Sequence, residues 1–446
     1  MILSERLENV AIVGAAGKMG SGISLLLANE MARLKISPEG AGKTFRLTLI
    51  DVSHKALEGL QMYLRTQLQK MAEKRANMLR EAYASRADLV ENAEIINEYV
   101  MDAMSLLRPA TELSAAAGAT MVFEAVNENE DLKVKLLSEV KRVAHPDAWY
   151  LTNTSSIPIS TLGERLGIPS QIVGYHFYNP PAVQKLVEFI TTDQTSPELK
   201  EGGYELAKRL GKKVFPSADV AGFIGNGHFM RDGLHAIATV EALRGDGDYA
   251  PAIYKVNRVS QDWLLRPMGI FQLIDYVGVD VFKFILAVMD RYLPGQGLHS
   301  DFIDALFEKG ILGGQNHDGS QKDGILAYKK GRPAAVYDLK RGEYVPFDPE
   351  GWCKVCDEEL GPLPEGYRPW KALVRAKDRG EALKRHFAAV VAGETEGARL
   401  ATEYLKASKA IGERLVADGV AASADDVNGV LMNGFFHLYG PINDYV

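Results

Sequence analysis

Two rhythms of apolar and polar positions run along the chain. In the first half, short runs that are apolar throughout alternate with longer stretches in which apolar residues return every three or four positions. The short runs are VAIVG (10–14), FRLTLID (45–51), TMVFEA (120–125), AWYLTN (148–153) and IVGYH (172–176). The longer ones include GKMGSGISLLLANEMARL and EDLKVKLLSEVKRV. Strands without a polar face, alternating with helices, predict an α/β domain whose parallel sheet is covered on both sides.

Two stretches interrupt that alternation. KISPEGAGK (35–43) is a Gly- and Pro-containing loop that delays the second strand. From residue 54 to about 107, around LQMYLRTQLQKMAEKRANMLREAY, helical spacing predicts a hairpin of helices leaning on the sheet, within an insert of about 54–115. Beyond residue 217 strand signals fade, and FIGNGHFMRDGLHAIATVEAL and IFQLIDYVGVDVFKFILAVMDRYL read as helices. A segment rich in Gly, Pro and charge (312–370) precedes a last helical block. The expected domains are 1–217, α/β; 218–330, all-α; and 331–446, a linker followed by a second, divergent all-α repeat. An echo of GIFQLIDYV (269–277) in GPINDYV (440–446) hints at that repeat, and chance also accounts for so short a match.

Bulk numbers narrow the class. A chain of 446 residues exceeds one ordinary core. A formal charge of −7 without a long basic run argues against nucleic acid as a partner. MILSERLENV lacks the basic-then-apolar pattern of a secretory leader, and no run approaches the roughly 18 apolar residues of a membrane span. Cys353 and Cys356, in GWCKVC, sit between loop-like flanks and are expected to be surface-loop thiols without catalytic role. Reduced thiols fit a cytoplasmic location, and no metal site is expected.

VAIVGAAGKMGSGIS places Gly14, Gly17 and Gly20 after a strand and at the start of a helix. Such glycines let the backbone approach a pyrophosphate whose charge rests at the helix N-terminus. Asp51 ends the second strand, where a carboxylate accepts ribose hydroxyls and repels a 2'-phosphate, which favours NAD over NADP. The spacing is one residue longer than the usual G-x-G-x-x-G, and an Asp that merely caps the next helix is the alternative. Further on, HFYNPPAVQKLVE sets His176 and Glu188 either side of a Pro-Pro turn. From the residues alone it is either a corner or a proton-transfer site.

The motifs KMGSGIS, FEAVNENEDLKVK, NTSSIPIS, HFYNPPAVQKLVE, DVAGFIGN and RPMGIFQLIDYVGVD, in this order over roughly 8–295, resemble the 3-hydroxyacyl-CoA dehydrogenase family. EKGILGGQ and MNGFFHLYGPIND look like the second helical repeat of longer, fused members. The resemblance implies a Rossmann-type NAD-binding domain followed by two all-α domains, with an acyl-CoA substrate. It implies that His176 takes the proton of the 3-hydroxyl while Glu188 orients its ring. Ser155 and Asn226 would hydrogen-bond the reacting oxygen or thioester. Lys18, Met19, Ala125, Asn153 and Asn179 join the glycines and Asp51 around NAD. Either Glu128 or Glu130 meets the nicotinamide ribose with Lys135; Glu130 is preferred. Arg65, Lys70, Lys74 and Arg75, on the helical insert, are candidates for the CoA phosphates.

The chain departs from the family in its longer glycine loop, its enlarged insert, and Gly227 and His228 after Asn226, where a basic residue is common. No crotonase-like domain follows. An internal repeat that covers the helical face used by short members for dimerisation predicts a monomer, a homodimer being the alternative. The rival functions are oxidation of a free 3-hydroxy acid or a functionalised acyl-CoA, and a non-catalytic NAD-binding role.

Overall fold

The five apolar runs are strands, joined by three that the pattern did not show. In the computed structural model, which describes residues 1–316 and 319–446, they form one eight-stranded sheet. The strands are β1 (Asn9–Val13), β2 (Arg46–Ile50), β3 (Leu107–Ala110), β4 (Met121–Glu124), β5 (Trp149–Thr152), β6 (Ile172–Phe177), β7 (Leu186–Ile190) and β8 (Lys213–Ser217). Their order is β3-β2-β1-β4-β5-β6-β7-β8. β1 to β6 run parallel; β7 turns back antiparallel to β6, and β8 runs parallel to β7. β3 and β8 escaped notice because they are edge strands: each contains a proline and is only partly buried, so neither needs an apolar run.

Helices Lys18–Lys35, His54–Glu73 and Asn92–Ser105 form the expected layer with the hairpin insert. Leu57, Leu60, Leu64 and Leu68 recur at helical spacing and are all buried. Each contributes about 1.5–3 kcal/mol of burial, so Leu64→Ala would open this layer at a cost of about 2–5 kcal/mol. Tyr99 anchors the hairpin by donating to the Asn29 side chain at 3.0 Å. The chain divides into two compact units, Met1–Asp219 and Val220–Val446, and this sheet with its helices is the first.

Within the second unit, helices Gly225–Arg244, Tyr249–Arg258, Ile270–Val277 and Val279–Tyr292 are followed after residue 320 by an element the pattern missed. β9 (Leu326–Lys329), β10 (Arg332–Asp338) and β11 (Glu343–Pro346) form an antiparallel meander inside the Gly- and charge-rich segment. Its strands are short and mostly half-exposed, so their composition resembles loop. The predicted helix over 270–292 is two helices, divided at Gly278, whose φ of +113° only glycine adopts readily. Cys353 and Cys356 correct another expectation. They lie on helix Trp352–Leu360, both buried beside Tyr254, because the i, i+3 spacing puts them on one inward face. Burial pushes the Cys356 thiol up to about 11, which suits inert packing.

One core runs from Ala221 to Tyr439, so the expected division at residue 330 does not separate two cores. A hydrogen bond to a buried ion pair crosses it: Arg266 donates to Asp232 at 2.7 Å, and Tyr404, beyond the division on helix Glu396–Ala417, donates to the same carboxylate at 3.0 Å. His228 packs beside this pair, its Nε2 3.1 Å from the Ser408 carbonyl oxygen. A local lock occurs twice. Asn257 and Asn428 each precede a glycine, Gly269 and Gly440, by twelve residues. Each side-chain carbonyl accepts from the amide two residues past that glycine, Phe271 at 3.1 Å and Ile442 at 3.0 Å. The faint echo between the two segments thus has a structural counterpart, although 440–446 is not helical.

Candidate active site

The parallel strands place their chemistry at one edge. Gly14 follows β1, Asp51 follows β2, Ala125 follows β4, Asn153 follows β5, and His176 lies at the end of β6. These are C-terminal strand ends, and the order reverses between β1 and β4, which is where open α/β sheets bind ligands.

The glycine loop is built for close approach. Gly14 has a φ of +82°, and a Cβ there would fall 2.7 Å from the Ala125 carbonyl oxygen. A Cβ on Gly20 would fall 1.9 Å from the Gly14 carbonyl oxygen. Gly17 caps helix Lys18–Lys35, whose N-terminus opens on the loop. The Asp51 carboxylate accepts from the Ala16 amide at 3.0 Å, which draws the second strand end to the loop. Glycine cradle, long helix N-terminus and strand-end carboxylate fit a dinucleotide. Lys18 is exposed, partial desolvation lowering its pKa, and Met19 packs on the core below.

His176 and Glu188 are direct partners in the antiparallel register of β6 and β7. Directly opposed residues project to the same face, and His176 Nδ1 lies 3.0 Å from Glu188 Oε2. Glu188 is fully buried. The connecting turn contains a cis Asn179–Pro180 bond. Lys212 clamps it by donating to the Pro181 and Gln184 carbonyl oxygens. Burial pushes the Lys212 ammonium down to about 8. Gly22 lets the cofactor-side helix meet the same turn.

Asn153 ties neighbouring strand ends together: its side-chain oxygen accepts from the Phe177 amide at 2.9 Å. Beyond it, Glu128 Oε1 gathers the Thr154–Ser156 turn. It accepts from Ser155 N at 2.8 Å, Ser156 N at 3.0 Å and Thr154 Oγ1 at 2.6 Å. Burial would raise the Glu128 pKa, but Lys133 and these hydrogen bonds outweigh it and hold the group below the ordinary range. Lys133 is itself buried, bonded to Glu124 at 2.8 Å and paired with Glu128 at 3.3 Å.

The geometry sets Glu128 and Lys133 apart from Glu130 and Lys135. Glu130 opens helix Glu130–Lys141 and pairs with Arg165 instead. Lys135 is exposed. Residues two apart lie about 200° apart around a helix, so Lys133 and Lys135 cannot share a face, and Lys133 is the one turned to Glu124 and Glu128. Asn226 stands in the first turn of helix Gly225–Arg244, in the second unit. Arg65, Lys70, Lys74 and Arg75 are all exposed. Tyr178, Lys133, Lys212 and Gly22 were missed. Only Tyr178 carried a signal: it lies two residues beyond His176, which is the strand period.

Comparison with known proteins shows the family. Residues 9–220 match the 3-hydroxyacyl-CoA dehydrogenase NAD binding domain, and residues 222–323 match that family's C-terminal domain. The mitochondrial hydroxyacyl-coenzyme A dehydrogenase of Rattus norvegicus is 30% identical over 281 residues, covering 63% of this chain and 79% of the relative. A probable 3-hydroxyacyl-CoA dehydrogenase of Caenorhabditis elegans is 29% identical over 320 residues, 71% of this chain and 93% of its own. Among solved structures, 3-hydroxybutyryl-CoA dehydrogenase from Escherichia coli shares the fold over 98% of this chain and 90% of its own, with a TM-score of 0.63 at 19% identity. No helix is long and apolar enough to cross a membrane among the described residues. The chain belongs to the 3-hydroxyacyl-CoA dehydrogenase family and is an NAD-dependent oxidoreductase.

Proposed function

We propose that the protein oxidises (3S)-3-hydroxyacyl-CoA to 3-ketoacyl-CoA, and runs the reverse, in fatty-acid β-oxidation or a related acyl-CoA degradation. The observation that carries this reading is the His176–Glu188 pair beside a dinucleotide cradle on one sheet edge. A carboxylate only accepts hydrogen bonds, so Glu188 fixes the proton of neutral His176 on Nδ1. Nε2 is then the lone pair that takes the 3-hydroxyl proton. Glu188 stabilises the imidazolium that results, and reduction runs the same transfer backwards. NAD, when bound, supplies the acceptor for the hydride leaving C3. Gly14, Gly17, Gly20 and Asp51 would hold it, with Lys18, Met19, Ala125, Asn153 and Asn179 around it.

Ser155 polarises the reacting oxygen, and its backbone is set by Glu128. Glu128 and Lys133 take the ribose-side role in place of Glu130 and Lys135. Asn226 keeps the role that the family motif assigns it, and the exposed Arg65, Lys70, Lys74 and Arg75 are assigned to the CoA phosphates. The repeated asparagine–glycine lock supports an internal duplication, and with it a monomer. The two free thiols support a cytoplasmic setting, against which relatives with mitochondrial and peroxisomal names stand.

Absorbance of NADH, followed with 3-ketoacyl-CoA substrates of increasing length and with free 3-keto acids, tests the reading. Turnover that requires the CoA thioester supports it. Equal turnover of the free acids favours the simpler 3-hydroxy acid dehydrogenase, and none at all a non-catalytic protein.

A further inference from the structure

Tyr178 carries an interaction that the pair alone does not require. It lies just past the end of β6, and its ring packs on the His176 ring with centroids 4.7 Å apart and planes at 38°. Its hydroxyl donates to Glu188 Oε2 at 2.6 Å, the same oxygen that faces His176 Nδ1 at 3.0 Å. One buried carboxylate oxygen therefore serves two donors, and the phenol makes the shorter contact. Every hydrogen bond to a carboxylate stabilises its charge and lowers its basicity. The share of charge held by the phenol is withheld from the imidazolium.

We propose that Tyr178 is a positioning residue that acts through Glu188 to hold the His176 ring in place and to keep it less basic than Glu188 alone would. This rests on the reading of His176 as the general base. Burial, then Glu188, push the Tyr178 hydroxyl far above its ordinary pKa, so it stays a donor throughout the working range. Two charged groups on flanking elements have their own partners. Glu128 is bound at the Thr154–Ser156 turn after β5, paired with Lys133, and Lys212 is bound to the turn carbonyls before β8. Tyr178→Phe removes one oxygen and keeps the ring packing.

Two measurements test the proposal on the full-length chain. The first is the pH profile of kcat/KM for 3-hydroxybutyryl-CoA oxidation in wild type and Tyr178→Phe. The acidic limb, where the base becomes protonated, moves to higher pH by about half a unit or more. The second is the imidazole titration of His176 by NMR, assigned with His176→Gln, which moves in the same direction. An unmoved titration, or one moved to lower pH, overturns the role of Tyr178. Full activity in His176→Gln overturns the general-base reading instead, and the NMR titration separates the two failures.

Discussion

Gly22 and Pro181 touch where the cofactor-side helix meets the turn between His176 and Glu188. A Cβ on Gly22 would fall 2.8 Å from Pro181 Cδ and 3.0 Å from its Cβ and Cγ. A proline ring has no rotamer with which to yield, so the turn itself must shift. Gly22→Ala is expected to lower stability by about 1–3 kcal/mol through overpacking. It should also lower kcat about 10-fold or more, because small displacements at a reacting group are costly. Thermal unfolding and steady-state kinetics check both, with NADH affinity by fluorescence as the control.

Asp51 should decide between the two nicotinamide dinucleotides. Asp51→Asn keeps an acceptor for the Ala16 amide but removes the charge that favours ribose hydroxyls over a phosphate. A hydrogen bond to a charged group is worth about 1.5–3 kcal/mol, so the KM for NAD should rise roughly 10-fold or more. Activity with NADP should rise at the same time. Parallel assays with both cofactors report the ratio.

The ion pair Asp232–Arg266 should be indispensable to the helical unit. Burial would raise the Asp232 pKa, yet Arg266 and His228 outweigh it and hold the carboxyl far below the ordinary range. Asp232→Ala leaves the Arg266 guanidinium buried and unpaired and is expected to cost about 3–5 kcal/mol. Chemical denaturation of the variant reads that loss directly.

Asp275 predicts a pH dependence of opposite sense. It is fully buried, accepts from the Ile325 and Leu326 amides and the Tyr328 hydroxyl, and desolvation pushes its pKa up to about 7. A carboxyl whose folded pKa lies above its unfolded value stabilises the fold fully below pH ~4, and that contribution disappears as pH rises through 7. Buried His228 and half-buried His437, whose pKa values desolvation depresses, work in the other direction, adding stability as pH rises. The comparison must therefore be between variants. Asp275→Asn should gain in melting temperature relative to wild type between pH 5 and pH 8. A constant difference would show that Asp275 does not titrate there.

Sequence pattern revealed those elements whose burial demands apolar residues. β1, β2, β4, β5 and β6 are covered on both faces, so their runs are unmistakable, and the amphipathic hairpin insert shows its leucines at helical spacing. Edge strands such as β8, with its Lys213 and Pro216, do not need apolar runs, and neither does the meander from Leu326 to Pro346. In the site, His176 and Glu188 were legible through the family motif that holds them, since the residues alone left a corner and a proton-transfer site equally open, and their opposed register in β6 and β7 shows only in the fold. Lys133 was not, since choosing it over Lys135 depends on how the helix beginning at Glu130 is rotated toward β4. Lys212 reaches the turn from a loop far along the chain, a relationship that no local spacing encodes.

The most direct test of the central claim is the rate of NADH oxidation by acetoacetyl-CoA in His176→Gln, measured beside NADH binding. Loss of the proton donor and acceptor predicts a fall in kcat of about 100-fold or more, with NADH affinity unchanged within about threefold. A kcat within threefold of wild type would remove His176 from the chemistry.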